Sequence, residues 1–143
     1  MSTQSVFHPD IMAKNVIIIR LGPGDKSIII EDEDGKGGGN LLSSAGRRIM
    51  WINATGFTCE LKFRQLVPDD ASGDGDPAWP FVAPPEPTGC VVKIPDTPGG
   101  KLSWGGTLRP KSDVNFFKYD VVLSATDERT PPPPIDPVII IER

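Results

Sequence analysis

Side chains able to do chemistry near neutral pH are scarce in this chain of 143 residues, which has one histidine, His8, and two cysteines, Cys59 and Cys90. Histidine carries most acid–base work at physiological pH, and His and Cys carry most transition-metal ligation. A Ser-His-Asp triad or an activated Cys-His pair would have to recruit His8, which lies in an N-terminal stretch expected to fray. No serine sits in a Gly-x-Ser-x-Gly elbow, and Gly37-Gly38-Gly39-Asn40 lacks the Gly-Lys-Ser/Thr ending of a phosphate loop. The supply points to a binding or structural module with no catalytic residues, no cofactor and no metal.

Each remaining candidate carries a functional and a structural reading. Cys59 and Cys90 fall on expected inward strand faces, as an inter-sheet disulfide or redox pair, or as two buried thiols packing as small hydrophobes; a reducing cytosol favours the thiols. Glu31-Asp32-Glu33-Asp34-Gly35 and Asp69-Asp70-Ala71-Ser72-Gly73-Asp74-Gly75-Asp76 could offer oxygen ligands to Ca²⁺, but neither has EF-hand spacing, and Asp and Gly are also what turns select. Asn53-Ala54-Thr55 matches a glycosylation sequon and equally suits a strand-end turn. Arg129-Thr130 followed by Pro131 to Pro134 could be an SH3-type ligand, yet Ile135 stands where a second anchoring proline belongs, so a stiff spacer is the better reading. Trp79, Phe81 and Trp104 stand among glycines and prolines. They are the candidate partner-binding or ligand-binding residues, the alternative being a lid folded over one end of the core.

The formal net charge of −4, with no basic run longer than Arg47-Arg48, argues against nucleic acid and against an anionic membrane surface. The first residues, Met1 to Asp10, show no basic segment followed by an apolar one, and no apolar run approaches the ~18–20 residues that span a bilayer. A cytoplasmic location is the expectation.

The elements that must position these residues are strands. Val16 to Arg20, Ser27 to Ile30, Arg47 to Asn53, Cys90 to Ile94, Leu102 to Leu108, Phe116 to Leu123 and Val138 to Ile141 are β-rich runs between turn signals. Phe57 to Arg64 alternates most cleanly, with Phe57, Cys59, Leu61 and Phe63 on one face, the period of a half-buried strand. Ile49 and Trp51 share a face, as do Phe117, Tyr119, Val121 and Leu123. Helical periodicity is weak; the one helix candidate is Asn40 to Ala45. Residues 1–14 read as loosely ordered, and 67–89 as a long irregular loop. About eight strands with turn-rich connections predict one all-β domain over residues 1–143, a two-sheet antiparallel β-sandwich of cupredoxin-like or immunoglobulin-like type. The closing strand should pair with the Phe117–Leu123 strand.

Trp51-x-Asn53-x-Thr55 followed by the alternating Phe57–Phe63 strand resembles the middle of cupredoxin-like β-sandwich domains. Phe117-Lys118-Tyr119-Asp120-Val121-Val122, followed by Ile135-Asp136-Pro137 and an aliphatic closing strand, resembles the end of small bacterial domains of that type. The resemblance covers roughly Arg47 to Phe63 and Phe116 to Ile141. Copper-carrying cupredoxins use two histidines, a cysteine and usually a methionine, three of them near the last strand pair. From Phe116 to Arg143 this chain has no Cys, His or Met, so the resemblance implies a copperless version.

Three functions follow in order. The first is a non-catalytic module that contacts a protein partner or a second copy through Trp79, Phe81 and Trp104. The second is a carbohydrate or Ca²⁺ binding module. The third is a hydrolase working with carboxylates alone.

Overall fold

The computed structural model describes residues 11–12, 15–35, 37–66, 75–96, 102–110, 116–126 and 128–142. The N-terminal hairpin forms first in sequence. Strand β1 is Ile11–Met12, β2 is Val16–Leu21 and β3 is Ile28–Glu31. Between β2 and β3 a tight 3-10 turn, Pro23–Asp25, reverses the chain, with Gly24 at φ 68° where an L side chain would be strained. Then come β4 (Asn40–Ser44), β5 (Arg48–Asn53), β6 (Cys59–Gln65), β7 (Phe81–Ala83), β8 (Val91–Ile94), β9 (Leu102–Leu108), β10 (Phe116–Leu123) and β11 (Val138–Glu142).

From β4 to β10 successive strands alternate between two sheets, one ordered β1-β4-β11-β10-β6-β8 and the other β3-β2-β5-β9-β7. The all-β two-sheet sandwich is therefore as the sequence implies, with eleven strands among the described residues in place of about eight. Within it both sheets are mixed: β2 runs parallel to β5, and β4 parallel to β11 and to β1. Crossing between sheets at almost every step lets strands of like direction become neighbours. The closing strand pairs antiparallel with β10 through Phe116–Lys118, as expected, and also takes β4 on its other side.

The faces follow the period of two. Phe57, Cys59, Leu61 and Phe63 are all buried, as are Ile49, Trp51, Phe117, Tyr119, Val121 and Leu123. Burying a large apolar side chain contributes about 1.5–3 kcal/mol, so one reversed register would forfeit most of the core. In β11 Ile139 and Ile141 are buried while Val138 and Ile140 stay half-exposed, so the strand is not enclosed on both faces.

Three local expectations are corrected. Asn40–Ser44 is a strand, not a helix; β11 supplies a parallel partner from Ile139 to Glu142, far away in sequence. Within the N-terminal stretch Ile11–Met12 pairs with Asn40–Leu41, while His8 lies outside the described residues. The expected loop 67–89 is ordered over 75–89. The Gln65 N–H donates to the Asp76 carbonyl and the Ala78 N–H to the Phe63 carbonyl, β7 joins β9, and a 3-10 turn spans Thr88–Cys90.

Candidate functional site

Trp79, Phe81 and Trp104 come together, but inside. Trp79 and Phe81 are 8% and 4% exposed, and Trp104 is half-buried against them. Pro80 and the β7–β9 pairing fold the segment over one end of the sandwich. The rings join Trp51, Phe63 and Tyr119 with centroids 5.0–6.1 Å apart, mostly edge to face. The Trp79 indole N–H donates to the Pro84 carbonyl at 3.1 Å. Of the two readings of these residues, the burial of Trp79 and Phe81 fits a lid folded over the core rather than an exposed patch. Only the outer edges of Trp79 and Trp104 reach a cleft of about 260 Å³, with Pro84, Pro85, Pro87 and Lys93.

Cys59 and Cys90 are free and buried. Cys59 of β6 lies opposite Ile94 of β8, while Cys90 precedes Val91, which lies opposite Lys62. Cys90 stands four residues before Ile94, which places its Cα about 10–13 Å from that of Cys59, beyond the ~7 Å Cα separation that a disulfide spans. Burial pushes the Cys59 thiol up to about 12, with the Glu60 carboxylate adding to the shift. Burial likewise raises Cys90. Tyr119 is raised too, chiefly by burial. Its hydroxyl donates to the Gly39 carbonyl at 2.5 Å. The nearby Trp51 N–H opposes that shift, yet it sits outside hydrogen-bond geometry and is a buried donor without a partner among the described residues.

The first acidic stretch is a turn. Asp32 accepts the Asp34 N–H on its carboxylate at 2.8 Å, and its carbonyl accepts the Gly35 N–H at 3.0 Å. In the second stretch residues 69–74 lie outside the described residues. Asn53 of the sequon is 4% exposed; its amide donates to the carbonyls of Phe57 at 2.7 Å and Ile94 at 3.1 Å. Its side-chain oxygen accepts from Thr55, closing the strand-end turn and leaving no amide for a glycan. Arg129 stacks on Phe57 at 4.2 Å and pairs with Asp25 at 3.1 Å, pinning the start of the polyproline spacer. Beyond it Ile135 bridges Val121, and the Lys118 ammonium meets Asp136 at 2.9 Å.

The residues that a cupredoxin-like scaffold would turn toward copper do not fit the metal. The inward faces of β10 and β11 carry Phe117, Tyr119, Val121, Leu123, Ile139 and Ile141, of which only Tyr119 has a heteroatom, a hydroxyl already spent on Gly39. Among the described residues no group of three or more His, Cys, Asp or Glu converges.

A surface feature escaped the sequence reading. Gly22 donates to the Ser27 carbonyl at 2.8 Å, which fixes the hydrogen-bonded phase of the β2–β3 ladder. Such pairs recur every second residue, so Arg20·Ile29 and Ile18·Glu31 are the next ones. The N–H and C=O of Ile28 and Ile30 therefore point away from β2, and no backbone partner faces them among the described residues. Beside them opens a cleft of about 510 Å³ lined by Ile28–Ile30, Gly37, Gly38, Asn40 and, from the end of the spacer, Ile135–Pro137. The run Ile28-Ile29-Ile30 reads as a strand in sequence, and no residue within it marks it as an edge.

These observations define an all-β sandwich with an aromatic core and, among the described strands, an open edge at β3. In solved structures it is similar to the copper protein rusticyanin: to that from Thiobacillus ferrooxidans with 18% identity over 92% of this chain and 80% of the other, at a TM-score of 0.44. A rusticyanin with one histidine replaced by methionine gives 18% identity over 95% and 85%, at a TM-score of 0.47. The likeness is one of strand architecture, below a TM-score of 0.5, and carries no copper chemistry to this chain. No protein-family model matches the sequence, and no curated protein matches it. Among the described residues no helix is long and apolar enough to cross a membrane.

Proposed function

We propose that this chain is a non-catalytic β-sandwich module that works by protein–protein contact, accepting an extended segment along the edge of β3. The observation that carries the reading is the outward backbone of Ile28 and Ile30 beside an open cleft with the apolar walls Ile29, Ile135 and Pro137. Strand addition needs those two features: main-chain groups for affinity and alternate side-chain pockets for selection. The non-catalytic half is supported by Cys59 and Tyr119, both displaced by burial away from the ionised form that chemistry would use. The test is an amide NMR titration with an eight-residue peptide of alternating Val and Thr. Shifts confined to Ile28–Glu31, Ile135 and Asp136 are expected; shifts elsewhere, or none at millimolar peptide, would overturn it.

A second reading, a small-ligand module, rests on the Trp79 and Trp104 edges in their proline-lined cleft. Their indole rings offer a ligand apolar surface beside the polar Lys93. It requires a sugar to raise the melting temperature, since a ligand of the native state must stabilise it; a flat thermal-shift screen with sugars, Ca²⁺ and EDTA removes it.

A further inference from the structure

The described strands leave four sheet edges, and three are blunted. Strand β7 is bracketed by Pro80 and Pro84-Pro85 and carries an irregularity between Phe81 and Ala83. Strand β8 displays the exposed Lys93 and stops at Pro95. Strand β1 is two residues long. These are the devices by which natural sheets refuse a further strand. Only β3, Ile28–Glu31, has none of them, and it has the cleft alongside.

We propose that β3 pairs antiparallel with β3 of a second copy of this chain, about a two-fold axis through Ile29. The inference rests on the reading of β3 as a docking edge and names its occupant. A two-fold axis normal to the sheet requires facing residues to share a face, so the numbers of each facing pair must sum to an even value. Centring on Ile29 sets Ile28 of each copy opposite Ile30 of the other, and every outward N–H and C=O of Ile28 and Ile30 finds a partner. Centring on Ile28 or Ile30 leaves half of them facing turn residues. The two Ile29 side chains, half-buried on the outer face, then meet as the close non-hydrogen-bonded pair with Cα atoms about 4.5 Å apart.

The charge distribution favours this direction. Lys26 precedes the strand beside Asp25, whose charge is paired with Arg129, while Glu31 (paired with Arg20), the buried Asp32, and Glu33 and Asp34 end it, so the excess of acid lies at one end. Antiparallel pairing brings each Lys26 to the acidic turn of the other copy and keeps the two acidic turns at opposite ends. Parallel pairing would set acid against acid. A short strand edge buries less than the ~1,600 Å² of a standard interface, so the dimer is weak, with a dissociation constant of about 10–500 μM.

Sedimentation velocity of the whole chain from 5 μM to 1 mM tests this, with Ile29→Lys and Ile29→Glu alone and mixed, and with melting curves to show that each variant is folded. The expected result is a wild-type dimer, a dissociation constant raised about tenfold or more in each variant alone, and dimer restored in the mixture, because like charges directly opposite repel and unlike ones attract. If Ile29→Lys fails to fold, Ile29→Glu, which lies across from Arg20, stands in for it. A wild-type chain that is monomeric at 1 mM overturns the pairing, and so does a dimer indifferent to both charges. The Val/Thr peptide then separates the two readings. Binding abolished by Ile29→Lys leaves β3 a docking edge for another protein, and no binding removes that as well.

Discussion

Phe63 is the residue around which the aromatic lid closes, its ring 5.1–6.1 Å from those of Trp51, Trp79, Phe81, Trp104 and Tyr119. Four residues earlier on the same face Cys59 is fully buried, and its environment gives the chain a pH dependence. An ordinary thiol here would titrate near 9.0, and burial holds Cys59 up to about 12. The folded state thus keeps a proton that the unfolded chain loses first. That contribution is fully present below about pH 9 and drains away as pH rises toward 12; Tyr119, raised in the same direction, adds to the loss in the upper part of the window. Urea midpoints should hold level from pH 8 to about 9 and then fall to pH 11, less steeply in Cys59→Ala. Equal slopes in the two proteins would contradict the assignment. The inward placing of Cys59 is legible in the alternation of Phe57 to Phe63. Its distance from Cys90 is not, because that depends on the β6–β8 register, which no local pattern encodes.

At the scale of elements the boundary of legibility is physical. Strands with a strict period of two, β5, β6 and β10, announce both their existence and their buried face. Asn40-Leu41-Leu42-Ser43-Ser44 has no such period, and its leucines suit a helix; it becomes β4 because β11 lies ready beside it. Trp79 and Phe81 look exposed in a proline-rich segment, and only the pairing of β7 with β9 turns them inward. The glycine pair in β9, Gly105-Gly106, is what lets that pairing close. A Cβ on Gly106 would stand 2.6 Å from the Phe81 ring, and one on Gly105 would stand 2.9 Å from the mobile end of Arg48. Gly106→Ala should therefore cost about 1–3 kcal/mol by overpacking a buried ring, while Gly105→Ala costs under about 1 kcal/mol because a guanidinium can swing aside. Denaturant unfolding of the two variants checks the contrast, and equal losses would mean that the lid is not packed on Gly106.

The whole molecule is stitched by strands that change sheets, so few of its contacts are local. The six-stranded sheet depends on its last strand: β11 lies between β4 and β10, and it alone connects the β1–β4 pair to the rest of that sheet. Pro137 and Ile30 close on Gly39 from either side, leaving 2.9–3.0 Å for a Cβ there, so the strand also seats the segment that leads into β4. Removing residues 138–143 would expose the β4 and β10 edges together and uncover Leu41 and Tyr119. Exposing two such side chains, and losing Ile139 and Ile141, costs on the order of 6–12 kcal/mol at 1.5–3 each, comparable with the ~5–15 kcal/mol that holds a domain of ordinary stability together. The truncated chain should lose its cooperative urea transition and its dispersed amide NMR spectrum. A cooperative transition with an unchanged m-value would show that β1 to β10 make a self-sufficient core, and that β11 is an addition to the sandwich rather than its keystone.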